Sequence, residues 1–137
     1  MSAFTTAPVF RFVSASSGSY KQNQTISINV VFSEPVVVSG TPSITLNTGV
    51  DVNYTSGTGS NTLLFQYTVG SSHNASPLSV GSMQPLNSAT IKDVAGNDFT
   101  GTSTVTGVLS GVIVDTAAPT ISTVSVASLS VFSTGTA

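Results

Sequence analysis

Residues 25–32 read TISINVVF. Ile26, Ile28, Val30 and Phe32 stand at every second position, with Thr25, Ser27, Asn29 and Val31 between them. Successive side chains of a strand point to opposite faces, so this spacing gathers the four large apolar residues on one side. A helix would scatter them around its axis. TLLFQYTV (62–69) repeats the pattern: Leu63, Phe65, Tyr67 and Val69 share a face opposite Leu64, Gln66 and Thr68. Shorter runs follow suit. In VFRFVSAS (9–16) alternation groups Phe10 with Phe12 against Val9, Arg11 and Val13. SITL sets Ile44 beside Leu46, and VDVNY aligns Val50, Val52 and Tyr54.

Working outward from these runs, the segments between them carry turn chemistry: SSGSY, SGTP, NTG, SGTGSN, VGSSHN and AGND. No stretch has a sustained helical stripe. The pattern predicts strands near 9–16, 24–33, 43–48, 50–56, 62–69, 88–93 and 107–114. Residues 70–87, with Pro77 and Pro85, are the least legible and hold at most a short strand at 78–80. About seven short antiparallel strands at this spacing predict an all-β chain folded as an immunoglobulin-like β-sandwich.

Composition narrows what such a fold does. The chain has 137 residues, enough for one sizeable core, and no cysteine, which excludes disulfides, thiolate metal sites and thiol nucleophiles. Only 6% of residues are charged, so 24 Ser and 20 Thr supply the polar surface. Arg11, Lys21 and Lys92 are the only cations against a net charge of -2. No basic footprint for nucleic acid can be assembled from three dispersed cations. No apolar run approaches the about 18 residues of a membrane helix, so membrane insertion is not expected. A Ser/Thr-rich, Cys-free, Lys-poor chain fits the bacterial exterior, and MSAFTTAP lacks the parts of an export signal.

After GVIVD (111–115) the chain starts again. TTAPVFRFVSASS from Thr5 and TAAPTISTVSVAS from Thr116 share Thr, Ala, Pro, Val, Ser and Ser at an offset of 111 residues, from Thr5 to Thr116 and from Pro8 to Pro119. The expected organisation is an N-terminal linker at 1–7, a sandwich at 8–115, an interdomain linker at 116–119, and the first strand of a following repeat at 120–137. Proline at each junction fixes φ and offers no backbone donor, so the link is stiff and cannot extend the preceding sheet.

Four stretches in order, residues 18–49, 54–69 (YTSGTGSNTLLFQYTV), 89–98 (ATIKDVAGND) and 112–119 (VIVDTAAP), resemble the bacterial Ig-like repeats of large surface and secreted adhesins. The resemblance implies a non-enzymatic stalk or spacer outside the cell, with neighbouring repeats of the same polypeptide as partners. It also implies, as the alternative, a ligand-binding module contacting a host or cell-surface glycan or protein through its loops, here 57–61 and 70–77. Some related repeats bind calcium at domain junctions. They often carry an acidic loop where VGSSHNASPLSV (69–80) has no carboxylate.

Strand counting bears on that calcium. If strands alternate in direction, Glu34 after the second and Asp93, Asn97 and Asp98 after the sixth gather at the N-terminal pole, and Asp115 lies at the opposite pole. In a tandem array Asp115 of one unit would meet Glu34, Asp93, Asn97 and Asp98 of the next. These five form a candidate interdomain Ca²⁺ site, since the ion takes about six to eight oxygen ligands. Two observations oppose it. Phe4 occupies the position 111 residues before Asp115, so the incoming linker lacks the carboxylate. DVAGND is also a good turn, with Gly96 supplying a positive φ, and the turn is the preferred reading.

No catalytic constellation is expected. His73 is the only histidine, read as an exposed loop residue, and no G-x-S-x-G turn accompanies the serines. An isopeptide crosslink needs a buried, neutral lysine, whereas Lys21 and Lys92 lie in or beside turns. Trp is absent, and of three tyrosines Tyr67 faces the core while Tyr20 and Tyr54 are the ones left to be exposed. Asn23, Asn53 and Asn74 match the N-glycosylation pattern, which is silent in a bacterium.

Overall fold

The computed structural model describes residues 6–83 and 88–118. Seven antiparallel strands form its body: β1 (Phe10–Ser14), β3 (Thr25–Phe32), β5 (Ser43–Leu46), β6 (Asp51–Ser56), β7 (Thr62–Thr68), β9 (Leu78–Met83) and β11 (Gly107–Leu109). Their order is β1-β3-β7-β6-β5-β9-β11. Taken in chain order, the first, second, fifth and fourth of these make one leaf, and the third, sixth and seventh the other. This is the strand order of an immunoglobulin-like sandwich, and the fold is all-β as expected.

One strand joins the leaves. Residues 51–53 of β6 pair with β5, as in Val52 with Ile44, whereas Tyr54 and Ser56 pair with Phe65 and Leu64 of β7. A register shift lies between Tyr54 and Ser56. A bulge adds a residue to one strand and bends it, which lets a single strand turn a corner between two leaves. Where β6 leaves β7 the ladder opens into a shallow polar trough lined by Asp51, Asn53, Thr55, Gln66 and Thr68.

The core lies between the leaves. Ile26, Ile28, Val30 and Phe32 of β3 are buried, as are Leu63, Phe65 and Tyr67 of β7 with Val69 beyond it. From the facing leaf come Ile44, Leu46, Leu78, Val80 and Leu109. Tyr54 stands edge-on to Phe65 at 6.2 Å, and Phe32 to Phe99 at 5.0 Å, both favoured aromatic geometries.

Smaller strands close the ends. β2 (Gly18–Tyr20) carries the chain on from β1 and pairs in parallel with β12 (Val112–Asp115), which also takes β8 (Asn74–Ala75) on its other side. The opening segment thus touches both leaves and clasps them. β4 (Val36–Ser39) and β10 (Thr90–Asp93) form a two-stranded ribbon at the N-terminal pole. Across the remaining seam, Gly107 of β11 lies so close to β1 that a Cβ there would come within 2.7 Å of Val13 Cγ2.

Three expectations need correcting. Phe10 and Phe12 do not share a face: the register shifts between them, so Phe12 is 54% exposed while Val13 turns toward the core. Simple alternation cannot foresee a bulge at Arg11. The predicted strand 88–93 is real but belongs to the ribbon, and its place in the main sheet is taken by β9, from the stretch least legible in the sequence. The predicted strand 107–114 is two strands, broken by a turn at Ser110–Gly111. The expected repeat strand at 120–137, Pro119, and most of the linker 1–7 lie outside the described residues.

Burial sets the energetic weight of each position. Ile28→Ala deletes a fully buried side chain from the centre of β3 and is expected to cost about 2–5 kcal/mol. Val108→Ala, at a site 63% exposed, should change stability by no more than about 0.5 kcal/mol. Urea denaturation of the two variants beside the parent chain checks this contrast.

Candidate functional site

The chemistry-bearing residues lie at the two poles. β3 runs from Thr25 at one pole to Phe32 at the other, where Ser33 N–H donates to the Val9 carbonyl at 2.8 Å and Val9 N–H to Ser33 Oγ at 3.0 Å. Glu34 follows at that pole. Val36 pairs with Asp93 across the ribbon, so the turn after β10 lies there too. The fold therefore brings Glu34, Asp93, Asn97 and Asp98 to the N-terminal pole. Asp115 ends β12, beside Asn74, at the opposite pole.

Within the N-terminal group the roles separate. Asp93 is buried. Its Oδ1 accepts the Asn97 backbone N–H at 2.8 Å, and its Oδ2 accepts Asn97 Nδ2 at 2.8 Å. Gly96 N–H donates to the Asp93 carbonyl at 3.1 Å, and Asp93 N–H to the Asn97 carbonyl at 2.9 Å. Gly96 takes φ +97, which glycine adopts without strain. Burial pushes the Asp93 carboxyl up, but bonds from the Asn97 side chain and from the backbone of Asn97, Ala95 and Gly96 outweigh it and hold it below the ordinary carboxylate range. DVAGND is a turn organised by its first residue.

Asp98 has a partner of its own. Lys92 Nζ reaches Asp98 Oδ1 at 2.6 Å, with both side chains substantially exposed. Such a surface pair contributes little stability, and the exposure removes the burial an isopeptide-forming lysine needs. Lys21 is exposed as well. Glu34 is different. Its Oε1 is shut off from solvent and has no hydrogen-bond partner among the described residues. Burial, then the nearby Asp93 charge, raises its carboxyl above the ordinary glutamate value. Asp115 accepts the Ala117 N–H at 3.0 Å and so caps the start of the outgoing linker. Among the described residues no three His, Cys, Asp or Glu side chains converge as metal ligands.

Loop 57–61, one of the two proposed for ligand contact, is bonded to β4. Within 57–61, Ser60 accepts the Val36 N–H at 3.0 Å, Gly59 N–H donates to Val36 at 2.7 Å, and Thr58 Oγ1 accepts the Val38 N–H at 2.8 Å. Thr58 N–H in turn donates to Tyr54 Oη. This loop seals the outer edge of β4. Tyr20 is half-buried, its hydroxyl bonded to the Ser16 carbonyl at 2.8 Å. Neither tyrosine is a free platform for sugar stacking.

His73 is not the exposed loop residue the sequence led us to expect. It is half-buried, and its ring stacks on Tyr67 at 5.8 Å. Gly70 N–H donates to His73 Nδ1 at 2.9 Å, so that nitrogen carries a lone pair and the ring proton sits on Nε2. The Tyr67 hydroxyl lies within hydrogen-bond distance of the same Nδ1, at 2.7 Å. Burial pushes the Tyr67 phenol up, partly offset by Thr48, whose Oγ1 lies 3.5 Å away. His73 is a lid over the core tyrosine. The one sequence cue was its position just past the end of β7, close to the last inward residues of that strand.

Comparison with protein-family models, curated proteins and solved structures finds no match. Among the described residues no helix is long and apolar enough to cross a membrane.

Two tests follow from this geometry. Glu34 has a raised folded-state pKa, so its ionisation opposes folding, and stability should rise as pH falls through that value toward the unfolded value of about 4.3. Asp93 is depressed, so its contribution is present above about 3.9 and is lost as pH falls through its folded value. Melting temperature against pH should thus rise slightly below neutrality and then drop. Glu34→Gln should remove the rise and Asp93→Asn the acid-side drop; calorimetry from pH 7 to 3 reads both. Separately, His73→Ala leaves the Tyr67 hydroxyl only the long contact to Thr48 Oγ1 and should cost about 1–3 kcal/mol. Adding Tyr67→Phe should then cost little more, a sub-additive pair measurable by chemical denaturation.

Proposed function

We propose that this chain is a non-enzymatic structural repeat, a spacer in the stalk of an extracellular bacterial adhesin-type protein, stacked on neighbouring copies through short proline-bearing linkers. The observation that carries the reading is the placement of the termini. The chain comes in beside Ser33 at one pole and leaves beside Asn74 at the other. A unit of that kind, repeated at an offset of 111 residues, propagates along one axis without turning back.

The outgoing linker supports the same reading. Thr116 N–H donates to Asn74 Oδ1 at 3.0 Å, and Asp115 takes the Ala117 N–H, so the first linker residues are held to their own domain. Proline at the junction adds stiffness. The alternative, a ligand-binding module acting through loops 57–61 and 70–77, draws on no comparable observation. The reading assigns no reaction and no resident cofactor to the unit.

Small-angle scattering on chains of one, two and three units tests it. The maximum dimension should grow by one domain length per unit, whereas a compact or randomly jointed particle would refute the spacer. A calcium ion shared between Asp115 of one unit and Glu34, Asp93, Asn97 and Asp98 of the next would appear as a calcium-dependent change in that dimension.

A further inference from the structure

The two poles are not chemically equivalent. At the N-terminal pole Glu34 keeps a solvent-shielded Oε1 without a hydrogen-bond partner among the described residues. Beside it, Asp93 is fully used by its turn and Asp98 is paired with Lys92. Two exposed valines lie at the same pole, next to residues that adjoin this carboxylate. Val9, bonded through its backbone to Ser33, is 55% exposed, and Val94, next after Asp93, is 65% exposed. A shielded carboxylate oxygen left without a donor carries a desolvation cost, and the two exposed valines add apolar surface at the same pole.

The opposite pole carries the complement. β2 runs parallel to β12, with Tyr20 level with Val114, so Lys21 emerges at the pole where Asp115 ends the domain. Lys21 has no ion-pair partner among the described residues, and its turn is fixed: its N–H donates to Gln24 Oε1 at 2.8 Å and its carbonyl accepts the Gln24 N–H at 3.2 Å. Asp115, the acid at this pole, is taken by the linker.

We infer that the N-terminal pole is a docking surface for the C-terminal pole of the preceding copy, in which the incoming Lys21 pairs with Glu34 and the two exposed valines are covered. The inference rests on the tandem reading and deepens it by naming the contact. Reach permits it: from Asp115 to Ile121, the counterpart of Phe10 at the start of β1, the chain spans at most about 20 Å. A tether that short holds the two poles at high effective concentration, so a single ion pair and a small apolar contact suffice to orient them. The half-buried Glu34 carboxylate gains a cation beside it, and the joint becomes stiff without a metal.

The test is a chain with one extra unit, residues 1–118 followed by 8–137, spin-labelled at Ser27→Cys in both units, since no native cysteine competes. Pulsed dipolar spectroscopy in chelator should give one narrow interdomain distance. Lys21→Glu in the first unit or Glu34→Lys in the second should each abolish the narrow peak, and the two together should restore it. High salt should also broaden it. A narrow peak indifferent to both reversals leaves the rod standing and overturns this contact. So does failure of the double reversal to restore it, or a peak that narrows only with added calcium. A broad distribution in the parent chain overturns the rod and the contact together.

Discussion

Strand β6 belongs to two ladders at once, and the sandwich depends on it. Its first half is hydrogen-bonded to β5 and its second half to β7, with a bulge inside the second half. A flat seven-stranded sheet would leave one face of Ile28, Leu63 and Phe65 in water. Bending at β6 folds that face onto Ile44, Leu78 and Leu109, and removing this apolar surface from water is the dominant favourable term in the fold. The polar trough at the corner follows from the same bend, because strands that part company expose their outward Asn, Gln and Thr side chains.

Closure has a second consequence. Once the leaves face each other, the connections can lie only at the ends, and each end must satisfy its own backbone. At the N-terminal pole loop 57–61 and the ribbon of β4 and β10 do this. At the other, His73 and the parallel pair of β2 and β12 do it. Backbone groups of loop 57–61 and the ring of His73 therefore serve the architecture. Among the described residues, a shielded Glu34 oxygen and two exposed valines stand at one end and Lys21, without an ion pair, at the other. A protein whose residual valences sit at its two ends is suited to joining along its axis.

The acidic residues show how far spacing carries a site argument. Alternating strand direction was enough to separate Glu34, Asp93, Asn97 and Asp98 from Asp115. It worked because the inserted strands leave the up-and-down parity of the flanking strands unchanged. Spacing could not tell which of the four is free. Asp93 is committed to Asn97 by the curvature of its turn, and Asp98 to Lys92 by the short bridge that pairs them across it. Only Glu34 is left over, a distinction of orientation that no linear pattern encodes.

By itself the sequence determined the fold class, the inward faces of β3, β5 and β7, the turn at DVAGND and the 111-residue recurrence, because each depends on local periodicity or turn chemistry. Tertiary structure alone decided the bulge that turns Phe12 outward, the promotion of β9 over β10 into the main sheet, and the role of His73 as a lid. These turn on which partner a strand finds across the molecule. Strand propensity does not specify that choice; the requirement to bury both leaves against each other does.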